Sequence, residues 1–258
     1  GLPWMGMMSK PRVLFLDVET MPDLVWTWGV YESNAIEVRD HWQLLSFSAE
    51  WLGGSHITKG LCDYKGYKAG SSDDLLVHDL WDLLDEADVV VAHNGVDFDI
   101  KKVNARFIAH GYTPPSPFKI IDTKRETKKV AAFSSNKLDW LCRQLELGYK
   151  LEHEGWPLWR GCINGDMAMW AKMKKYNRND IKLLKRLYKH LAPWIKQPNM
   201  AVWTGGAVCP NLNCGSKNLQ ARGYARNKSR VYQRYQCKDC GSWSRSVRSE
   251  QSVPVVPV

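Results

Sequence analysis

Asp17 and Glu19 stand two residues apart at the end of an apolar run, Val13-Leu14-Phe15-Leu16. In a strand, that spacing points both carboxylates to one side of a sheet. Asp99 follows a second apolar run, Val89-Val90-Val91-Ala92, within His93-Asn94-Gly95-Val96-Asp97-Phe98-Asp99. Asp180 lies four residues after Tyr176, which puts the two on one face of a helix. Four carboxylates converging from three elements repel one another unless cations hold them. Hard oxygen ligands select Mg²⁺ or Mn²⁺, and two such ions about 3.5–4 Å apart clamp an in-line phosphoryl displacement. Each signal also has an ordinary reading. Strands often end in Asp-x-Glu, helix starts favour Asp as a cap, and exposed helix faces readily produce Tyr-x-x-x-Asp. The three in this order, each on the element its chemistry needs, argue for a site of that kind. Asp97 offers a second acid near Asp99 and reads as the cap of the following helix.

A second constellation lies near the C-terminus. Cys209-x4-Cys214 and Cys237-x2-Cys240 form two knuckles, and Gly follows the second cysteine of each. Four thiolates at this spacing suit one closed, tetrahedral structural Zn²⁺ site. The stretch between them is too small to bury a core alone, so metal binding would supply its folding free energy. Disulfides are the competing reading, but the chain has seven cysteines, an odd count, and no export leader is visible. Cys62, Cys142 and Cys162 stand alone and read as small buried hydrophobes. Between the knuckles Tyr224, Tyr232 and Tyr235 alternate with Arg222, Arg226, Arg230 and Arg234, and Trp243 follows. Stacking rings interleaved with cations suit single-stranded nucleic acid. Some of the rings must pack the hairpin itself, and docking of a replication or recombination protein competes as the ribbon's purpose.

The elements that position these residues are legible in outline. The two apolar runs read as buried strands. Residues 26–70 read as strands and loops, including a strand over Leu44 to Trp51. Ser72 is expected to cap a helix with Leu76, Leu80, Leu83 and Leu84 on one face. Further helices are expected from about Asp97 to His110, from Asn136 to Gly148, and over Asp166 to Leu191 as one long or two short helices. Lys119 to Asp122 reads as a short strand. Strands followed by strands alternating with helices predict an α/β core with a mixed sheet. The basic run Lys124, Arg125, Lys128 and Lys129 reads either as a solvated face or as a phosphate track.

The motifs carry a family resemblance. Phe15-Leu16-Asp17-Val18-Glu19-Thr20 resembles the first exonuclease motif of the DnaQ-like superfamily, and His93 to Asp99 resembles the second, in which the acid directly follows Phe. Tyr176-Asn177-Arg178-Asn179-Asp180 resembles the third in its tyrosine form; position 175 holds Lys where the histidine form has His. From about Arg12 to Leu191 the chain is similar to DEDDy exonucleases, especially those related to B-family polymerase proofreading domains and their stand-alone, often phage-encoded, relatives. Ser135-Asn136-Lys137-Leu138 and Gly148-Tyr149-Lys150 resemble the same group less specifically. The resemblance implies an RNase H-like mixed sheet flanked by helices, followed here by the zinc ribbon. It also implies 3′→5′ hydrolysis of phosphodiester bonds to nucleoside 5′-monophosphates. Asp17, Glu19, Asp99 and Asp180 would hold two Mg²⁺ or Mn²⁺ ions, and Tyr176 would orient the attacking water. Asn94, Phe98 and the backbone at Thr20 and Met21 would line the pocket for the 3′-terminal nucleotide, although Phe98 reads equally well as core packing. Single-stranded DNA is the favoured substrate, and RNA stays open.

Charge agrees with a polyanion partner. The 258 residues carry a net charge of +9, of which +7 falls from Ala201 onward: nine Lys/Arg against Asp239 and Glu250. A nearly neutral body with a basic tail points to nucleic acid, and a basic face kept for solubility is the plainer reading. No apolar run is long enough for a membrane span, so the expected location is the cytoplasm. The expected organisation is an expression remnant or unstructured start over 1–10, the catalytic domain over 11–196, and a linker over 197–206. The ribbon is expected over 207–248, with Arg226, Arg230, Tyr232 and Arg234 touching substrate, and a disordered tail over 249–258. Two rivals stay open: a structure-selective endonuclease or RNase on the same core, and a nucleic-acid-binding module without catalysis.

Overall fold

The computed structural model describes residues 9–32 and 34–256; positions 1–8 of the expected unstructured start lie outside them. The chain divides into two units. The larger comprises Arg12–Lys128 and Ala132–Leu187, and the smaller is built mainly from Tyr188–Val258.

In the larger unit β1 (Val13–Thr20) runs on past the apolar stretch to include Asp17 and Glu19. A separate two-stranded ribbon, β2 (Leu24–Trp26) and β3 (Glu37–Asp40), comes next. Then come β4 (Leu44–Trp51), as expected, and β5 (His56–Gly60). Helix α1 (Asp74–Asp85), β6 (Val89–Ala92), α2 (Asp99–Ala109), β7 (Lys119–Asp122) and α3 (Thr123–Val130) follow. Three more helices complete the unit: α4 (Leu138–Gln144), α5 (Trp156–Ile163) and α6 (Met167–Leu191). The sheet order is β5-β4-β1-β6-β7, with β4 and β5 antiparallel and β6 and β7 parallel to β1. This is the mixed sheet the sequence predicts. The core strands read as continuous Val/Leu/Phe because helices cover the sheet and both strand faces are buried: Leu14, Leu16, Phe47 and Val90 have no more than trace exposure.

Two local details position the site. The β1–β6 pairing stops at Phe15↔Val91, so the end of β1 runs on beside β4 alone, and the register slips between Glu19 and Thr20. Bulges of this kind re-aim side chains beside functional sites. On the opposite element, Trp170 is buried and its ring lies where a β-carbon on Gly60 would come within 2.6 Å. The glycine lets α6 pack closely, and the Trp170 indole N–H donates to the Tyr67 hydroxyl (2.8 Å).

Several expectations are corrected. The cap of α1 is Asp73, not Ser72. The buried Asp73 carboxylate instead accepts bonds from Arg106 (2.7 Å twice) and the Leu44 N–H (2.9 Å), with His110 at 2.8 Å, tying α1, α2 and β4 together. Leu83 is only partly buried, and Val77 takes its place on the packed face. Asp97 is not the cap of α2. Phe98 holds that position, and Asp97 lies exposed against Arg125 (2.6 Å). Asp166 to Leu191 resolves into one helix, α6. Helix α3 was not foreseen because a basic segment with only Thr123 and Thr127 buried has no apolar stripe. Helix α5 was missed although Leu158 and Cys162 recur four residues apart on its buried side.

In the smaller unit the expected linker contains α7 (Ala201–Thr204), preceded by Met200, which is buried and donates its N–H to Pro210 O (3.0 Å). A sheet follows: β8 (Leu219–Arg226), the central β9 (Arg230–Cys237), β10 (Trp243–Arg245) and β11 (Gln251–Ser252). Strand β11 falls in the stretch expected to be disordered; its backbone is satisfied by pairing Gln251 and Ser252 with Val231 and Arg230. Among the described residues no helix is long and apolar enough to cross a membrane.

Candidate active site

The end of β1, the start of α2 and the middle of α6 bring the predicted acids together. Asp17, Glu19 and Asp180 each offer an oxygen within 4.8 Å of the others. Asp99, the first residue of α2, is buried and accepts the Val18 N–H at 3.0 Å, a group that β6 no longer reaches. Its charge acts on Asp17 and Glu19, although its oxygens lie outside the three-carboxylate cluster. Two charges 4.8 Å apart at an effective dielectric of 20 repel by about 3 kcal/mol, so the ionised cluster is costly. Its protons are held accordingly. Burial first, and then Asp180, push Glu19 up to about 8. Burial pushes Asp99 up to about 7, with the Val18 N–H pulling the other way. Asp17 is raised well above the usual carboxylate range by burial and by Asp180, Asp99 and Glu19, and Asp180 is raised by burial against the pull of Lys150.

Three groups absent from the sequence reading of the site complete it. Lys150 donates to Asp180 Oδ2 (2.5 Å) and to the Tyr176 hydroxyl (3.1 Å). Burial opposes its charge, but Asp180 outweighs that and keeps it protonated. Asn177, fully buried, donates to Asp17 Oδ2 (2.5 Å) and accepts from Ser46 Oγ (3.2 Å), which fixes the carboxylate's plane. Asp122 accepts the backbone N–H groups of Asn94 (3.0 Å), Val96 (3.2 Å), Lys124 (3.0 Å) and Arg125 (3.2 Å) and so clamps the turn before α2. That turn needs Asn94 at φ 69° and leaves no room at Gly95, where a β-carbon would meet Ala92 Cβ at 2.4 Å. Lys150 stood within a quoted motif and Asn177 beside Tyr176, so faint signals existed; Asp122 looked like any strand end.

Tyr176 packs edge-on against His153 (4.8 Å between ring centres) and near Trp159 (6.2 Å). Burial and then Asp180 push its phenol up to about 12, against the pull of Lys150, so it stays neutral at any working pH. Thr20 and Met21 line an open groove of about 460 Å³ together with Trp42, Lys102, Trp156 and Trp159. Lys102 lies 3.8 Å from the centre of the Trp42 ring. Phe98 is 38% exposed rather than packed in the core. The Asn94 side chain accepts a bond from Lys124 Nζ (3.0 Å).

Residues 47–192 match the family RNase_H_2, the RNase_H superfamily. The chain belongs to this superfamily. Its members are in general metal-dependent nucleases, and the mixed sheet with flanking helices is the RNase H-like fold. The match begins after β1, so Asp17 and Glu19 rest on geometry and motif alone. Over 67 residues the chain is 36% identical to the DNA polymerase III PolC-type of Ureaplasma parvum serovar 3 (strain ATCC 700970), an overlap of 25% of this chain and 4% of that one. It also resembles the family B DNA polymerase of the hyperthermophilic archaeon Pyrobaculum calidifontis with a TM-score of 0.53 and 16% identity, over 72% of this chain and 25% of that one. At that identity the likeness shows the fold. This RNase H-like chain therefore corresponds to a small part of both polymerases.

The residues present fit a divalent cation: the donors are all hard oxygens, and Asp180 Oδ1 is buried without a hydrogen-bond partner. The four cysteines of the RNase H-like chain's ribbon fit a metal of another kind. Tetrahedral thiolates about 2.3 Å from zinc lie about 3.8 Å apart; Cys209 and Cys240 are separated by 3.5 Å, and Cys214 and Cys237 by 3.8 Å. Both distances are far too long for a disulfide, and all four thiols are free. The Asn211 amide lies 3.7 Å from Cys240 Sγ, a second contact of the sort that orients metal ligands.

In the ribbon sheet the predicted contacts divide. Pairing places Arg230, Tyr232 and Arg234 on one face of β9, whereas Arg226 lies opposite Val231 and so on the other face, its guanidinium 5.8 Å from the Tyr224 ring. Tyr232 is only 7% exposed, because Arg245 covers its ring at 3.9 Å.

Proposed function

We propose that this RNase H-like chain is a DEDDy-type 3′→5′ exonuclease acting on single-stranded DNA and releasing nucleoside 5′-monophosphates. The observation that carries the reading is the convergence of Asp17, Glu19 and Asp180 beside Tyr176 and Lys150, with Asp99 behind. A dead binding module would have no use for buried like charges, which supports catalysis over the non-enzymatic rival. Asp17, Glu19, Asp99 and Asp180 would hold two Mg²⁺ or Mn²⁺ ions. When bound, such ions activate water as Lewis acids and neutralise the charge that develops during phosphoryl displacement.

The chain's own residues divide the remaining work. Asn177 holds the Asp17 carboxylate in one orientation, and Val18 does the same for Asp99. Neutral Tyr176 orients the attacking water through its hydroxyl. Lys150 holds that hydroxyl in place and neutralises part of the Asp180 charge. Exposed Phe98, together with Asn94, Thr20 and Met21, receives the 3′-terminal nucleotide, with Trp42 and Trp159 beside them to stack on its base. The names of the two polymerases support DNA as the polymer.

Digestion of matched 3′-labelled and 5′-labelled single strands of DNA and RNA, with Mg²⁺ or Mn²⁺, tests this. Label released first from the 3′ end as mononucleotide supports the reading. Cutting of a circular single strand would replace it with an endonuclease, and faster digestion of RNA would change the substrate.

A further inference from the structure

The ribbon sheet has one face with an excess of unneutralised cations. Pairing puts Arg230, Tyr232, Arg234 and Gln236 of β9 on the same side as Trp243 and Arg245 of β10. Arg222, at the β8 irregularity, joins them, since its guanidinium donates to Gln236 Oε1 (2.5 Å) and lies 5.9 Å from the Trp243 ring. Arg234 lies 4.9 Å from the same ring and donates from Nε to Arg222 O (3.1 Å). Arg245 covers Tyr232 and donates to Ser246 O (3.2 Å). Among the described residues every acceptor these guanidinium groups use is neutral. The two acids of the region do not compensate them: Asp239 is occupied with Ser216 and Asn218, and Glu250 forms no ion pair among the described residues. Rings and neutral oxygens hold Arg222, Arg234 and Arg245 in place without cancelling their charge.

We infer that this face, made by Arg222 and Arg234 beside Trp243, Arg245 over Tyr232, and Arg230 farther along β9, is a docking surface for the phosphate backbone of single-stranded nucleic acid. Charge complementarity calls for a polyanion, and the choice of nucleic acid rests on the nuclease reading above. Arg230 and Arg234 are four residues apart on one strand, which spaces them by about 14 Å, far enough to meet separate phosphates. Contact with the rings lowers the entropy that the Arg222, Arg234 and Arg245 guanidinium groups lose on binding. Trp243, 48% exposed, also walls a cleft of about 330 Å³ with Pro193, Lys196 and Asn211. An aromatic edge open beside cations suits unpaired bases rather than a duplex. Sequence alternation alone would have grouped Arg226 with Arg230 and Arg234; the sheet puts it on the reverse face.

The test is binding of the 258-residue chain, loaded with zinc, to a fluorescent dT20 strand, without Mg²⁺ or Mn²⁺, at several salt concentrations. Arg222→Gln with Arg234→Gln is compared with an equal loss of charge elsewhere in the ribbon, Arg226→Gln with Lys217→Gln. Each phosphate contact on a single strand contributes about 0.7 to the slope of log K against log salt. The first pair should flatten the slope by about 1.4 and weaken binding roughly 25-fold at 0.1 M salt, while the second leaves the slope within about 0.3 of the parent's. Arg230→Gln guards against misfolding, because among the described residues its guanidinium has no partner to lose, and it should flatten the slope by about 0.7. Parental slopes and affinities in both face variants, with one zinc retained per chain, would overturn the inference and leave an acidic protein surface as the better occupant. Equal losses from the two pairs would also overturn it, since charge rather than this face would be responsible. Failure of the nuclease reading is seen separately, as labelled strands left intact by the unsubstituted protein when metal is added.

Discussion

The carboxylate site and the ribbon face solve opposite electrostatic problems. In the first, half-buried and buried anions are crowded until they hold protons well above the usual range, and Lys150 is the cation that offsets them, helped by the Val18 and Asn177 N–H donors. In the second, exposed cations lie against rings and neutral oxygens, with no ion pair to an acid among the described residues. The buried cluster stores a demand for small, hard cations that fit among fixed oxygens. The exposed face stores a demand for an extended polyanion, which water and salt screen. Burial thus makes one site specific and costly, and exposure makes the other tolerant and salt-dependent.

The largest effects should come from the crowded anions. Asp17→Ala, Asp99→Ala and Asp180→Ala should each lower nuclease turnover at least ~100-fold while the fold survives, because a metal position goes and a repulsion goes with it. Turnover and circular dichroism of the three proteins check this, and near-parental cleavage by Asp99→Ala would shift the ligand assignment to Asp97. Tyr176→Phe should cost something like 10–1000-fold in turnover with strand affinity unchanged, if the hydroxyl orients water. A parental rate would remove Tyr176 from the mechanism and weaken the DEDDy reading.

Disrupting the four-cysteine site separates the two regions. Cys237→Ser with Cys240→Ser should release one zinc, measured by elemental analysis, and unfold the ribbon alone. Cleavage of a short oligonucleotide at saturating concentration should persist, because β1, α2 and α6, which carry the carboxylates, belong to a unit with its own buried strands and helices. Loss of that cleavage would show that the ribbon supports the catalytic unit.

The subtlest contrast lies in pH. Glu19 and Asp99 have folded-state values raised from 4.5 to about 8 and from 3.8 to about 7. Between those limits the folded state binds more protons than the unfolded one, so stability falls as pH rises. Without Mg²⁺ or Mn²⁺ the catalytic unit should therefore melt several degrees lower at pH 8 than at pH 5. Added metal should recover the difference at pH 8, and Glu19→Gln should reduce it. A melting temperature that rises steadily over that range would mean that the cluster is not crowded in solution.

Chemistry carried by short spacings was legible in the chain alone. Asp17 and Glu19 share a side because strands alternate, Tyr176 and Asp180 share a face because helices repeat at about four residues, and the cysteine knuckles have the spacing tetrahedral thiolates need. The buried strands and a helical stretch up to Leu191 followed from runs and periods of the same local kind, and the structure made that stretch one helix, α6. What tertiary structure alone decided depends on partners far apart in sequence. Asn177 reaches Asp17 across 160 residues, Lys150 reaches Asp180 across 30, and Asp73 leaves its helix start for Arg106. Asp97 looked like a cap until Arg125 took its carboxylate. The same holds in the ribbon, where alternating arginines looked like one surface and an irregularity between Ala221 and Tyr224 helped decide which of them share a face. Backbone periodicity is written into each segment, whereas the partner of a polar side chain is chosen by which distant groups folding leaves unsatisfied beside it.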